Sequence, residues 1–293
     1  MTLQNRPTPV VWAWLILGSL LSARAAEGDL AGAVDLYEAR SYSAARVALR
    51  AVEEKKGGDP AIDFYLGRIA LWFNDEEEAR ERLQRAVNEE PGEARYANAL
   101  GDAYGLTAQR APLMTKLGWG KKCLAAYERA VALEPANPIF EWSLLGYYLH
   151  APRIAGGGLT KARAAAARIK SLDPEGGHAA LITVHLAAND FPAALAEAEQ
   201  ALRNHPDSFL ALYQFGRCAA VSGLELDRGI AALQRCLALP APQGDGRPSH
   251  ALVHYRLASL FEQQGMEGRA AEHLDRVRVV HPDFRADKMT LKN

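Results

Sequence analysis

The side chains that could do chemistry are few and scattered. His250 and His254 are four residues apart and would share a helix face, and His178 and His185 are two turns apart. A histidine pair at i, i+4 can hold a metal, but no H-E-x-x-H frame accompanies either pair. A solvated or groove-lining histidine is the simpler reading. Cys123, Cys218 and Cys236 form no Cys-x-x-Cys, and no histidine stands at ligand spacing from them, so no zinc site is expected. No serine lies in G-x-S-x-G, and no paired acids occupy a catalytic frame. Gly156-Gly157-Gly158, followed by Thr160 and Lys161, invites an anion at a helix N-terminus. The segment GGGLTK is not a P-loop, however, and no strand precedes it, so a turn joining two helices explains it more simply. No catalytic residue, metal or cofactor is expected.

The elements behind these residues follow a repeating rhythm. Gly67, Ala79 and Pro91 stand 12 positions apart, as do Ile182, Ala194 and Pro206, and Ala258, Ala270 and Pro282. Cys123 to Pro135 and Ala162 to Pro174 repeat the second half. Within one unit, Leu66, Ile69, Ala70 and Phe73 form an apolar stripe at helical spacing, and Ala79, Leu83, Ala86 and Val87 form a second. Asn74 and Asp75 favour a turn and a helix start between them, and Pro91 ends the second helix. Each unit is a helical hairpin that cannot bury its apolar faces alone, so neighbours must stack on it.

This pattern resembles the tetratricopeptide repeat, in which W-x-x-L-G-x-x-Y leads to A-x-x-x-F and then Pro. Leu100, Gly101 and Tyr104 carry part of the motif, as do Trp142, Leu145 and Gly146, and Leu257, Ala258, Phe261, Ala270, Leu274 and Pro282 carry it in the last unit. Seven units begin near Ala26, Pro60, Ala94, Ile139, Glu175, Phe209 and Ala251, with units one and six degenerate and Gly229 replacing the expected Ala. The resemblance implies an all-α, right-handed superhelical solenoid of about seven hairpins over residues 26–282. Such solenoids present long binding surfaces and seldom carry catalytic centres.

Residues 1–25 have another character. Arg6 precedes an apolar run at 10–21, and Ala23-Arg24-Ala25 has the A-x-A arrangement of a cleavage site. A secretory signal peptide cut after Ala25 is expected, giving a periplasmic or secreted chain of the exported bacterial type without stable membrane insertion. The competing reading is a retained anchor, for which the run is short. Residues 283–293, with Arg285, Lys288 and Lys292, form a C-terminal tail.

The 34 basic and 35 acidic residues give a net charge of −1, without a long basic run, so nucleic acid is not an expected partner. A protein or peptide is, and the oligomeric state is left open. Cys123 falls at a small buried position. Cys218 and Cys236 lie on the two helices of unit six and could pair in an oxidising compartment, with buried free thiols as the alternative.

Two hairpins carry extra residues between their helices, at 106–120 and 150–158. The expected consequence is a pair of neighbouring inserts on one edge, displaying Arg110, Leu113, Met114, Lys116, Trp119 and Arg153, which either bind a partner or seal the solenoid. First helices of such hairpins line the concave surface. With Leu66 and Ile69 packed, Phe64, Arg68, Leu71 and Trp72 face the groove. The same register adds Arg95, Asn98 and Asp102, then Phe140, Tyr147 and His150, and finally Tyr213, Arg217 and Tyr255. A peptide groove centred on Arg68, Trp72, Asn98, Tyr147 and Arg217 is the expected site, with non-catalytic scaffolding as the function. The alternatives are an accessory subunit of an envelope-biogenesis or polysaccharide-export machine, and a small-molecule or metal carrier.

Overall fold

The computed structural model describes residues 29–242, 247–281 and 283–284. The expected export segment, its cleavage site at Ala25, Pro282 and the basic tail residues Arg285, Lys288 and Lys292 lie outside them.

Fourteen α-helices run antiparallel in seven consecutive hairpins among the described residues. The first is α1 (Leu30–Glu38) with α2 (Tyr42–Lys56), the second α3 (Pro60–Trp72) with α4 (Glu76–Glu89), and the third α5 (Ala94–Arg110) with α6 (Leu113–Leu133). Then come α7 (Pro138–His150) with α8 (Leu159–Leu172), and α9 (Pro174–Ala187) with α10 (Phe191–Asn204). The last two are α11 (Phe209–Ser222) with α12 (Leu226–Leu237), and α13 (His250–Gln263) with α14 (Glu267–Val280). This is an all-α helical solenoid.

The local chemistry that starts and stops these helices is regular. Asp59, Asn137 and Asp173 each accept a backbone N–H of the first turn, ahead of Pro60, Pro138 and Pro174. Proline costs nothing there because that N–H has no partner within the helix. Asn74 adopts a left-handed conformation between α3 and α4, and Asp75 caps α4 through Glu78 N–H. The apolar stripes Leu66, Ile69 and Ala70, and Ala79, Leu83, Ala86 and Val87, are all buried.

Close approach of paired helices depends on small residues. A Cβ on Gly67 would lie 2.6 Å from Leu83, and one on Gly216 would lie 2.3 Å from Leu233. A Cβ on Gly229 would lie 2.4 Å from that of Ala219, so even alanine does not fit where the repeat pattern expects it. Gly146 is different. A Cβ there meets nothing within 4 Å, so this motif glycine does not mark a helix crossing.

The insert at 106–120 is helical rather than a loop. It lengthens α5 to 17 residues and α6 to 21, leaving Ala111 and Pro112 as the connection. The second insert forms a single 3₁₀ turn at Arg153–Ala155. The two meet at Gly120, whose Cβ position is 3.7 Å from Ala155. The glycine triplet is a steric necessity. Gly156 and Gly158 have φ of +93° and +145°, and a Cβ on Gly157 would strike the Ala151 carbonyl oxygen at 1.8 Å. Lys161 donates to the Gly156 carbonyl at 2.9 Å, so it is committed to the turn.

The chain also closes on itself. Trp72 on α3 donates to the Asp283 carbonyl at 2.9 Å, and its ring stacks on His281 with centroids 5.3 Å apart. Arg40 donates to the Arg247 carbonyl at 3.1 Å. The first two hairpins are thereby fastened to the seventh, at the segment that leads into it and at its end.

Candidate concave binding chamber

The first helices of hairpins two to seven surround a cavity of about 760 Å³. Its wall runs from Phe64 and Arg68 on α3 through Arg95, Asn98 and Asp102 on α5. It continues over Phe140, Trp142, Gly146 and His150 on α7, Thr183 on α9, and Tyr213, Gln214 and Arg217 on α11, to Leu252 on α13. Nine of the thirteen residues expected at the centre and flanks of the groove therefore share one chamber: Phe64, Arg68, Arg95, Asn98, Asp102, Phe140, His150, Tyr213 and Arg217.

Four do not. Trp72 is turned toward the C-terminal segment, packed between Tyr42 and His281. Tyr147 is buried beneath the second insert, donating to the Ala155 carbonyl at 2.6 Å. Tyr255 packs on Phe284, with ring centroids 5.6 Å apart. Leu71, placed beside them by the same register, is also away from the chamber, in the apolar cluster around Leu83. Tyr147 adjoins the chamber residue Gly146, whereas Leu71 and Trp72 lie about one turn beyond Arg68 and Tyr255 about one turn beyond Leu252. A register that fixes only the packing stripe does not say where along the helix the chamber ends.

Most of the charge in the wall is already paired. Arg68 donates to Asp102 at 3.0 Å and to the Tyr37 hydroxyl at 3.2 Å, and Asp102 also accepts from Tyr127 at 2.7 Å. Arg68 thus joins hairpins one, two and three rather than waiting for a ligand. Arg95 is held by Glu93 at 3.0 Å and lies over the Phe64 ring at 5.7 Å. The Glu93–Arg95 hydrogen bond is the main reason that the Glu93 carboxyl sits below its ordinary value and the Arg95 guanidinium above its own. Arg217 is the buried exception. It is 4% exposed, and its Nη1 donates only to the neutral Thr183 hydroxyl at 2.9 Å and to Gln214 at 3.1 Å. Its Nε and Nη2 are buried with no acceptor among the described residues, and so is the Asn98 side-chain oxygen without a donor. Desolvation lowers the Arg217 pKa, with further repulsion from Arg256.

The residues missed by the sequence reading share a signal that was available. Trp142, Thr183, Gln214 and Leu252 all lie on first helices. Trp142 and Leu252 also pack against the core, which hid their second role, and Thr183 and Gln214 are neutral polar types that do not advertise a site.

The insert surface is divided. Trp119 is covered, with the Lys122 ammonium 4.3 Å and the Arg80 guanidinium 5.3 Å from its ring centroid and Tyr104 beside it. Arg110 donates to the Asn74 carbonyl at 2.7 Å and pairs with Glu76. These two seal the insert onto the second hairpin. Leu113 and Met114 are 87% and 93% exposed, and Lys116 and Arg153 also face solvent.

The thiols of Cys123, Cys218 and Cys236 are free and buried, and burial pushes each pKa up to about 12. Cys218 and Cys236 donate weakly to the Ala194 and Phe209 carbonyls instead of pairing. Among the described residues no group of three or more His, Cys, Asp or Glu could hold a metal ion, and no helix is long and apolar enough to cross a membrane.

The fold and its inward-facing chamber define a helical-repeat solenoid. Two tetratricopeptide-repeat sequence profiles match the chain, over residues 24–103 and 179–241. The chain is a tetratricopeptide-repeat protein. The solved structures agree on the fold. A thermophilic tetratricopeptide-repeat protein of Thermus thermophilus is 20% identical with a TM-score of 0.53, covering 72% of this chain and 97% of its own. A tetratricopeptide-repeat protein of Parabacteroides merdae is 14% identical with a TM-score of 0.52, covering 93% and 98%. No curated protein matches the sequence. Proteins of this family are protein-interaction scaffolds and are generally not enzymes.

Proposed function

We propose that this protein is a non-catalytic scaffold that binds a protein or peptide partner on its concave side. The observation that carries the reading is the chamber of about 760 Å³, built by the first helices of six successive hairpins and lined by both apolar and polar side chains. A cavity of this size is in the range that encloses a small ligand or a few residues of chain. Walls contributed by six hairpins around one space favour recognition of a compact element over a long extended peptide.

The site of action we propose is outside the cytoplasm. The support is the apolar run at 10–21 and Ala23-Arg24-Ala25. N-terminal sequencing of the native protein tests this, with a start near Ala26 expected and an intact Met1 in the membrane fraction opposing it.

Gly146 supplies the test of the chamber. It lines the cavity, and a Cβ there meets nothing within 4 Å, so Gly146→Phe attaches without a clash at Cβ and sends a ring into the chamber. Replacing glycine inside a helix also favours the helix. A crosslinked partner recovered with the wild-type protein should be lost with Gly146→Phe at unchanged helicity. Equal recovery would mean that binding occurs elsewhere on the solenoid.

A further inference from the structure

We propose that the edge built by the two inserts docks on the surface of an anionic phospholipid bilayer. Leu113, Met114 and Ile154 enter the headgroup boundary, and Lys116, Lys121 and Arg153 meet the lipid phosphates. This contact lies outside the chamber and does not depend on what the chamber binds.

The starting point is where the chain leaves apolar surface in water. Single exposed apolar residues are ordinary on a folded protein, and Val47 on α2 and Val279 on α14 are of that kind. Leu113, Met114 and Ile154, at 87%, 93% and 77% exposure, are instead brought to one edge. The Cβ position of Gly120 on α6 is 3.7 Å from Ala155, the neighbour of Ile154. Leu113 stands seven residues before Gly120, so it lies on the same face of α6, roughly 10 Å along the axis. The edge also overhangs its neighbour. Counted from the motif glycines Gly67 and Gly101, α5 runs four residues further than α3, roughly 6 Å at the helical rise.

The charge around this tip has one sign. From Ala103 to Tyr127 there is no Asp or Glu, and from Trp142 to Leu172 there is none either, in a chain whose net charge is −1. Lys116, Lys121 and Arg153 are exposed, and none of their side chains has an acceptor among the described residues. The flanking turns carry acids, but Glu76 is held by Arg110 and Asp190 lies 3.6 Å from His185.

Projecting aliphatic side chains ringed by basic ones match the boundary of an anionic bilayer, where apolar groups enter the acyl region and Lys or Arg stay with the phosphates. A folded acidic protein fits less well. The centres of protein contacts are enriched in aromatic residues and depleted in Lys. Here the aromatic residue of the insert, Trp119, is turned inward beneath Lys122 and Arg80.

The test is flotation of the protein, as recovered from cells, with vesicles of phosphatidylcholine alone or with about one-third phosphatidylglycerol. Thermal melting of each variant checks its fold. Wild type should bind the anionic vesicles at least ~10-fold better than the neutral ones. About 1 M salt, where the screening length is about 3 Å, should remove most of that preference. Lys116→Glu with Lys121→Glu should weaken anionic binding at least ~10-fold, whereas Lys55→Glu with Lys56→Glu, the same charge change at the far end of α2, should not. Leu113→Ser with Met114→Ser should also weaken it at least ~10-fold, and Val279→Ser should not. Ile154→Ser, on the other insert, should weaken it independently, which decides the matter if the double serine variant melts early. Equal binding to both vesicle types, or binding shared by every variant, would overturn the inference; the latter would assign the contact to the apolar run at 10–21. Binding lost with the lysines but indifferent to Leu113, Met114 and Ile154 would also overturn it. The edge would then be a general polyanion surface, open to an acidic protein.

Discussion

Asp283 accepts two hydrogen bonds from Ser43, one from its backbone N–H and one from its hydroxyl, both at 2.8 Å. The two residues are 240 positions apart, yet the contact has the form of a local helix cap. Ser41, the residue that begins helix α2, makes no side-chain cap of its own. The far end of the chain supplies the missing acceptor, and the N-terminal end of the α2 dipole favours its negative charge. Together with the Trp72 hydrogen bond to the Asp283 carbonyl, this turns an open row of hairpins into a closed one.

Removing that cap should loosen the closure. Asp283→Ala is expected to cost about 1 kcal/mol of stability, the usual worth of a capping side chain. Because the contact joins the ends of a solenoid, hydrogen exchange should rise first in α2 and α14, with α9 to α11 unchanged. Uniform exchange throughout, or no change in α2, would show that the ends are held by other contacts.

Acid should act on the same junction. His281 is 2% exposed, stacked on Trp72, with both ring nitrogens unpartnered among the described residues. Desolvation pulls its pKa down from 6.5 to about 4, helped by Arg40 and opposed by Asp283. His254 falls to about 4 for the same main reason, with His273, 2.8 Å away between Nδ1 atoms, adding repulsion. Both are neutral in the folded chain. Between pH 6.5 and 4 the unfolded chain binds more protons, so their contribution is complete above 6.5 and is lost as the pH falls toward 4. Denaturant melts at pH 7 and pH 5 should show the loss, and His281→Phe should reduce it. An unchanged pH difference in that variant would exclude His281 as a contributor.

The helix pattern was legible because it rests on period and punctuation. Pro60, Asn74 and Asp75 state their roles locally, and the stripe from Ala79 to Val87 is buried as its spacing requires. Arg68 and Arg217 could be placed on the inner face by register, but not ranked. One is saturated by Asp102 and Tyr37, and the other lacks a carboxylate, which depends on what neighbouring hairpins bring to it. Trp72 misled for a similar reason. Its partners, His281 and Asp283, come from the other end of the chain, and no periodicity reports a closure.

The Asp63 cluster joins the first two hairpins, and it should be the most costly charged site to disturb. Burial alone would raise the Asp63 pKa, but hydrogen bonds from Arg85 and Arg82 outweigh it and leave the group below its ordinary 3.8. Arg82 also pairs with Glu53 on α2. Asp63→Asn leaves two guanidinium groups short of a carboxylate and should cost about 3 kcal/mol, near the lower end for a broken buried pair because Arg85 reaches solvent. The stabilisation is present above pH 3.8 and is lost as the pH falls below it. Urea unfolding at neutral pH checks the magnitude, and a loss below about 0.5 kcal/mol, typical of surface sites, would contradict the assignment.

The long third hairpin separates sealing from binding within one insert. Trp119, enclosed by Lys122 and Arg80, holds α6 against the preceding hairpin, and Trp119→Ala should lose packing as well as the cation–π contacts. A loss of about 1–2 kcal/mol is expected, below that of aromatic truncations in packed cores because Trp119 is half-buried. Leu113 and Met114 make no comparable use of their apolar surface, being almost wholly exposed at the start of α6. Leu113→Ser with Met114→Ser should therefore change stability by less than about 0.5 kcal/mol. The informative readout is capture of the partner identified through the Gly146→Phe comparison. Weaker capture by the double serine variant at unchanged melting temperature would place a second contact on this edge. Full capture would confine binding to the chamber, and a marked fall in melting temperature would show that Leu113 and Met114 seal the solenoid after all.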